Sequence, residues 1–204
     1  PKTFSCDFSD RESRLRVIQE ISTSTTAVDV LINNAAFVGT SDLAGWSVPF
    51  ESQSSEIWQT VLEVNLTSMF DFAQGLSKNL QDAESPAIVN IASTHAHVGP
   101  DWSLYEGTKM SSPAAYSASK SGVVSLTRWL AATLAPKVRV NSISPGGIAR
   151  GQDTSFVDKY VKRIPLRRMA TEADVVGPVL FLSGDQSRYI TGQDILVDGG
   201  YSVL

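Results

Sequence analysis

Ala87-Ile88-Val89-Asn90-Ile91-Ala92-Ser93 is an apolar run of strand length that ends in a serine. A run this short, with apolar residues on both alternating faces, reads as a strand covered on both sides of a parallel sheet. Two further stretches share the pattern. Val28-Asp29-Val30-Leu31-Ile32-Asn33-Asn34-Ala35-Ala36 ends in Asn-Asn-Ala, and Val138-Arg139-Val140-Asn141-Ser142-Ile143-Ser144-Pro145-Gly146-Gly147 ends in Pro-Gly-Gly. Adding segments at the two ends, strands are expected near 2–6, 28–33, 87–92, 138–143 and 194–198. Longer amphipathic stretches separate them and predict helices near 10–22, 54–80, 113–135 and 171–183, with a short helical segment at 152–164. Strands alternating with helices argue for an α/β fold with a parallel sheet. Ser9 is expected to cap the first helix with Glu12 at the capping-box position, and Thr171 with Asp174 to open the last one in the same way. Residues 94–112 form a long loop, and ordered loops of that length are often functional.

Composition narrows the class. A chain of 204 residues defaults to one domain, taken here as 1–204. Its 42% hydrophobic content supports a packed core, and 19% charged residues argue against disorder. A net charge of −4 does not suggest a nucleic-acid surface. The single Cys6 forms no internal disulfide, which fits a reducing compartment, and a cytoplasmic protein is expected. No apolar run reaches the ~20 residues that span a bilayer, so no membrane partner is expected.

Chemistry concentrates in Ser112-Pro113-Ala114-Ala115-Tyr116-Ser117-Ala118-Ser119-Lys120. Ser112 can cap a helix and Pro113 suits its first position. Tyr116 and Lys120 then share one helix face. An ammonium beside a phenol favours phenolate, which predicts a Tyr pKa lowered from about 10 towards neutrality. Such a Tyr can exchange a proton with an alcohol or a carbonyl oxygen. A rival pair, Tyr105 and Lys109, has the same spacing. Gly107 weakens a helix there and Pro113 follows soon after, so Tyr116 is preferred. His95 and His97 flank Ser93, and either could line a substrate pocket. No Cys or carboxylate constellation accompanies them, so no metal site is expected. The sequence has no Gly-x-Ser-x-Gly elbow of a serine hydrolase.

Taken in order, the strand ending in Ser93, the Asn33-Asn34-Ala35 element, the mid-helix Asn65, the Tyr116/Lys120 pair and Pro145-Gly146-Gly147 resemble the classical short-chain dehydrogenase/reductase family. The resemblance runs from Cys6-Asp7 to Val197-Asp198-Gly199-Gly200. It implies a Rossmann-like doubly wound parallel sheet, NAD or NADP as cofactor, and interconversion of a secondary alcohol and a carbonyl. On the family's pattern Ser93 holds the substrate oxygen, and Tyr116 is the general acid/base. Lys120 tunes Tyr116 and binds the nicotinamide ribose, while Asn65 anchors a water in the proton relay. Asp7 approaches the adenine, Asn33 and Ala35 pass near the adenosine ribose, and Pro145, Gly146 and Ile148 face the nicotinamide.

Departures from the pattern also carry meaning. Ala36 stands where the family has Gly, Phe8 where a small aliphatic is usual, and Ala149-Arg150-Gly151 where a Thr often touches phosphate. Ser93 lies twenty-three residues before Tyr116 but twelve before Tyr105, and the shorter separation is nearer the family's. An insertion of about ten residues accounts for this. The family's opening strand and Gly-rich turn, which hold the pyrophosphate at a helix N-terminus, have no counterpart here. Residues Pro1–Asp7 match the third strand, so two strand–helix units are missing, on the order of fifty residues. Gly146-Gly147 and Gly199-Gly200 follow later strands and cannot replace that turn. The run Tyr105-Glu106-Gly107-Thr108, Met110, Ser112-Pro113 is similar to a subgroup linked to bacterial surface-sugar and flagellin-glycan biosynthesis, which implies a sugar or nucleotide-sugar substrate. The tail Ile190–Gly200 resembles the part that packs on a partner subunit, implying a homodimer or homotetramer. Two competing readings are a binding or regulatory member without cofactor, and a cofactor-independent isomerase or dehydratase. The intact Ser93, Tyr116, Lys120 and Asn65 set favours catalysis.

Overall fold

Ile88 and Val89 are neighbours in the chain, both fully buried, and they serve two different cores. Ile88 packs with Val140, Leu76, Leu80, Val17 and Leu130. Val89 packs with Ile143 and Leu182. Side chains alternate across a strand, so helices must cover both faces of this sheet. Each such fully buried aliphatic contributes roughly 1.5–3 kcal/mol. The computed structural model describes residues 1–38, 41 and 43–204.

Four strands, β1 (Val30–Asn33), β2 (Ala87–Ile91), β3 (Arg139–Pro145) and β4 (Asp194–Val197), pair in the order β1-β2-β3-β4. Every pairing is parallel. Helices α1 (Arg11–Ser24), α2 (Ser55–Leu62), α3 (Ser68–Gly75), α4 (Ser77–Asp82), α5 (Ala114–Leu134), α6 (Thr154–Arg163) and α7 (Glu172–Ser183) connect them. α1, α3, α4 and α5 contribute to the Ile88 core, and α7 covers the Val89 side. The expected α/β parallel sheet is therefore present, with its strands near the expected places. No described helix is long and apolar enough to cross a membrane.

Several local expectations need correction. Residues 1–7 form no strand. Phe4 and Cys6 pack against the Ile88 core, but a strand depends on a ladder, and β1 bonds only to β2 among the described strands. β1 is an edge, with Val30 and Ile32 37% and 47% exposed. The first helix is capped by Asp10, which accepts from Glu12 N at 3.2 Å and Ser13 N at 3.0 Å. Ser9 instead donates to Asp7. Pro113 occupies the N-cap of α5, not its first turn, and Ser112 makes no cap. The Thr171/Asp174 capping box forms as read from the sequence.

The long helix expected over 54–80 is a broken rod. A π turn over Glu63–Thr67 joins α2 to α3, and the helix breaks again at Leu76 beside Gly75, where glycine's poor helix propensity allows a stop. One fully buried cation ties this region to α1. Arg14 donates from Nε to Asp71 at 2.8 Å, from Nη2 to Glu63 at 2.6 Å, and from Nη1 to the Phe8 carbonyl at 2.6 Å.

Candidate active site

The carboxyl ends of β2 and β3 open into a cleft of about 500 Å³, the place where open α/β sheets accept ligands. Ser93, at the end of β2, accepts a hydrogen bond from the His95 amide at 3.2 Å. That bond uses a lone pair of its oxygen, and its hydroxyl also shares a hydrogen bond with Tyr116. α5 brings Tyr116 and Lys120 to the same wall. Asn34, Ala35, Pro145, Gly146, Gly147 and Ile148 also line the cleft. The structure thus gathers Ser93, Tyr116, Lys120, Ala35, Pro145, Gly146 and Ile148 around one space. Asn33 is not on its wall: its amide donates to Asn90 at 2.8 Å, stitching β1 to β2. Asp7 also lies off the wall, exposed, in the turn before α1.

The predicted tuning of Tyr116 is not what the geometry produces. Burial raises the phenol pKa, and a hydrogen bond with Ser93 offsets part of that rise. The Lys120 ammonium stands 5.8 Å from the ring centroid and donates to the Ile91 carbonyl at 2.8 Å. Sequence spacing places the two side chains on one face, but it says nothing of how deeply they sink. Lys120 is 2% exposed, and burial lowers its pKa to about 8. In an unfolded chain the same amine titrates at ~10.4. The penalty on the ammonium is in full force below pH 8 and disappears as pH rises to about 10.4, so this group makes the fold more stable across that window. NMR titration of side-chain-labelled lysines should show one midpoint near 8, absent in Lys120→Met. A Lys120 midpoint with the exposed lysines would contradict the buried placement.

Asn65 sits fully buried in the π turn. Its Oδ1 accepts from Phe37 N at 2.8 Å, and Nδ2 donates to Phe37 O at 3.1 Å and to Ser119 Oγ at 3.2 Å. Ser119 in turn donates to the Tyr116 carbonyl at 2.8 Å. Both amide hydrogens are committed to protein, so the side chain positions α5 and the loop after β1 and has no hydrogen left for a water. π turns inside helices occur frequently at functional sites, and none was readable from the apolar pattern.

The rival pair does not form. Gly107 takes φ +79°, in the left-handed region that glycine tolerates. Tyr105 and Lys109 lie in an irregular segment, and Lys109 points to solvent. Tyr105 instead joins an aromatic row that sequence reading missed. Tyr105, Phe156, Tyr160 and Tyr201 follow one another at centroid distances of 5.4, 5.6 and 5.3 Å, and all four line the cleft. The Tyr160 hydroxyl accepts from Gly147 N at 2.6 Å, and burial pushes its pKa up to about 12. A Cβ on Gly147 would stand 2.9 Å from that ring, so the Pro-Gly-Gly element is glycine where an aromatic ring seats against it. The two histidines separate. His95 lines the cleft, whereas His97 pairs with Asp194 at 2.7 Å.

The family model described as enoyl-(acyl carrier protein) reductase matches residues 1–202. A short-chain dehydrogenase structure from Leptospira borgpetersenii with bound NAD+ superposes with a TM-score of 0.86 at 32% identity, covering 97% of this chain and 74% of that one. The chain belongs to the short-chain dehydrogenase/reductase family. Other short-chain dehydrogenase/reductase relatives include a 3-oxoacyl-acyl-carrier-protein reductase of Buchnera aphidicola, 30% identical over 97% of this chain and 76% of its own length. A D-threitol dehydrogenase of Mycolicibacterium smegmatis is 32% identical over 98% and 73%. Short-chain dehydrogenase/reductase members are NAD(P)-dependent oxidoreductases on a Rossmann-like sheet, and the parallel sheet described above is of that kind.

Proposed function

We propose that this chain interconverts a secondary alcohol and a carbonyl on a sugar or nucleotide-sugar, with NAD or NADP as the hydride carrier. The observation that carries the reading is the meeting of the Ser93 hydroxyl, the Tyr116 phenol and the buried Lys120 ammonium at one cleft. The donor set suits the nicotinamide half of such a cofactor. An ammonium has three hydrogens and Lys120, which lines the cleft, uses one on Ile91, leaving two for acceptors such as ribose hydroxyls. Ala35, Pro145, Gly146 and Ile148 would hold the rest of that half by close backbone approach.

When bound, the nicotinamide supplies or removes the hydride. The protein does the remainder. In the reductive direction the Ser93 hydroxyl turns from Tyr116 to donate to the carbonyl oxygen, and Tyr116 delivers the proton to that oxygen. In the oxidative direction Tyr116 takes the alcohol proton back. Lys120, 5.8 Å from the Tyr116 ring, would contribute by holding the nicotinamide ribose beside that phenol. Asn65 acts through Ser119, fixing the turn of α5 that carries Tyr116. The aromatic row offers flat apolar faces beside the polar groups of Ser112, Asp101, Arg150 and Gln152, a mixture suited to a ring with hydroxyls on its edge. We further propose that the chain acts as a homodimer or homotetramer on a small-molecule substrate.

The test is turnover, by absorbance at the nicotinamide band, of a panel of alditols, aldoses and nucleotide-hexoses with NAD+ and NADP+. Saturable oxidation of one member is the expected result. No turnover of any member, together with no quenching of NADH or NADPH fluorescence on binding, would remove the dehydrogenase reading.

A further inference from the structure

His95 is close to the proposed chemistry without being part of it. Its ring meets Tyr116 edge-on, with centroids 5.6 Å apart and planes at 73°. Its Nδ1 faces Ser112 Oγ at 3.3 Å, and Ser112 also bonds the Tyr105 hydroxyl. This network fixes the ring from one side. Nε2 makes no hydrogen bond among the described residues, yet it is not among the buried polar atoms left without a partner. The ring itself lines the cleft. Burial lowers the imidazole pKa, so at neutral pH the ring is uncharged and offers one donor and one acceptor.

Resting on the dehydrogenase reading above, we infer that His95 is a specificity-determining residue whose Nε2 recognises a hydroxyl on the carbon next to the one being oxidised or reduced. The substrate class is then a vicinal diol or an α-hydroxy carbonyl. Three placements support this. Ser93 and Tyr116 hold the reacting oxygen, and His95 follows Ser93 by two residues and abuts Tyr116. All three line one cleft, so His95 shares the space that the reacting oxygen would enter. Neighbouring oxygens of a gauche diol lie about a hydrogen-bond length apart, so the second oxygen falls where Nε2 waits. A nitrogen without a partner among the described residues also disfavours an apolar group at that carbon, because a buried polar atom facing hydrocarbon is costly.

Two measurements decide it. In the first, the best substrate of the panel is compared with its analogue deoxygenated at the adjacent carbon. The kcat/KM ratio of diol to mono-ol should fall roughly 10- to 100-fold in His95→Phe, which keeps a ring against Tyr116 but no nitrogen. His95→Gln, which can place an amide near the Nε2 position, should restore most of the ratio. A ratio that stays within twofold in His95→Phe would overturn the inference, as would equal loss on both substrates, the mark of a packing role. In the second, the Nε2 signal of 15N-histidine-labelled protein is followed with butane-2,3-diol and with butan-2-ol. A shift with the diol alone supports recognition, and identical behaviour with both overturns it. Absence of any turnover across the panel would instead strike the dehydrogenase reading, with the NMR result still reporting on His95 by itself.

Discussion

Tyr116→Phe is expected to lower kcat by about 10²- to 10⁴-fold, the range of a positioned general acid or base, with little change in KM. The substitution removes one oxygen and keeps the ring that packs with Trp46, Val61 and Ala115. Its thermal midpoint should therefore stay near that of the parent, which separates lost chemistry from lost fold. Steady-state kinetics with the panel substrate checks it, and full turnover by the Phe variant would sink the assignment of Tyr116. The direction of the phenol shift adds a pH signature. Burial keeps Tyr116 protonated at neutral pH, so carbonyl reduction finds its acid ready. Alcohol oxidation needs the phenolate and should speed up as pH rises above neutrality. A profile falling over that range in the oxidative direction would contradict the role of Tyr116 as base.

Arg14→Ala is expected to cost about 3 kcal/mol of stability, the lower end of the range for removing one partner of a buried ion pair. Three acceptors lose their donor at once: Asp71, Glu63 and the Phe8 carbonyl. The lower end applies because Glu63 is 42% exposed and can rehydrate, whereas Asp71, at 12%, stays largely buried. For a chain of this size the midpoint should drop by roughly 6–12 °C. Arg14→Lys should recover only part, since an ammonium cannot fork between two carboxylates. Thermal and urea unfolding of both variants measures this, and a loss below 1 kcal/mol in Arg14→Ala would mean that the cluster is solvated.

The sheet was legible because its strands are apolar on both faces, and few other elements read that way at such a length. That Tyr105 and Lys109 would not share a helix was also legible, since a glycine and a nearby proline act locally. What failed depends on neighbours that are distant in sequence. A strand at 2–6 needs a ladder partner, and the run itself cannot say whether one is there. Asn33 and Asn34 are adjacent and alike, but alternation sends the first to Asn90 and the second to the cleft. The pKa of Tyr116 turns on burial by residues from other elements, so the Tyr-x-x-x-Lys spacing misjudged its sign. His95 was seen only as one of two candidates, and the aromatic row joins four residues spread over almost a hundred positions.

The π turn at Asn65 has a geometric consequence. A helix advances about 100° per residue, so the additional residue in that turn rotates everything after it relative to everything before. The two halves of the element therefore run on different angular phases. α2 presents Val61 to the packing around Trp46 and Ala115, while α3 presents Phe72 and Ala73 to the Ile88 core. A single uninterrupted helix would have to surrender one alignment to keep the other. The widened turn between them is where an uncharged amide can look inward at Phe37 and Ser119 without either half giving up its face.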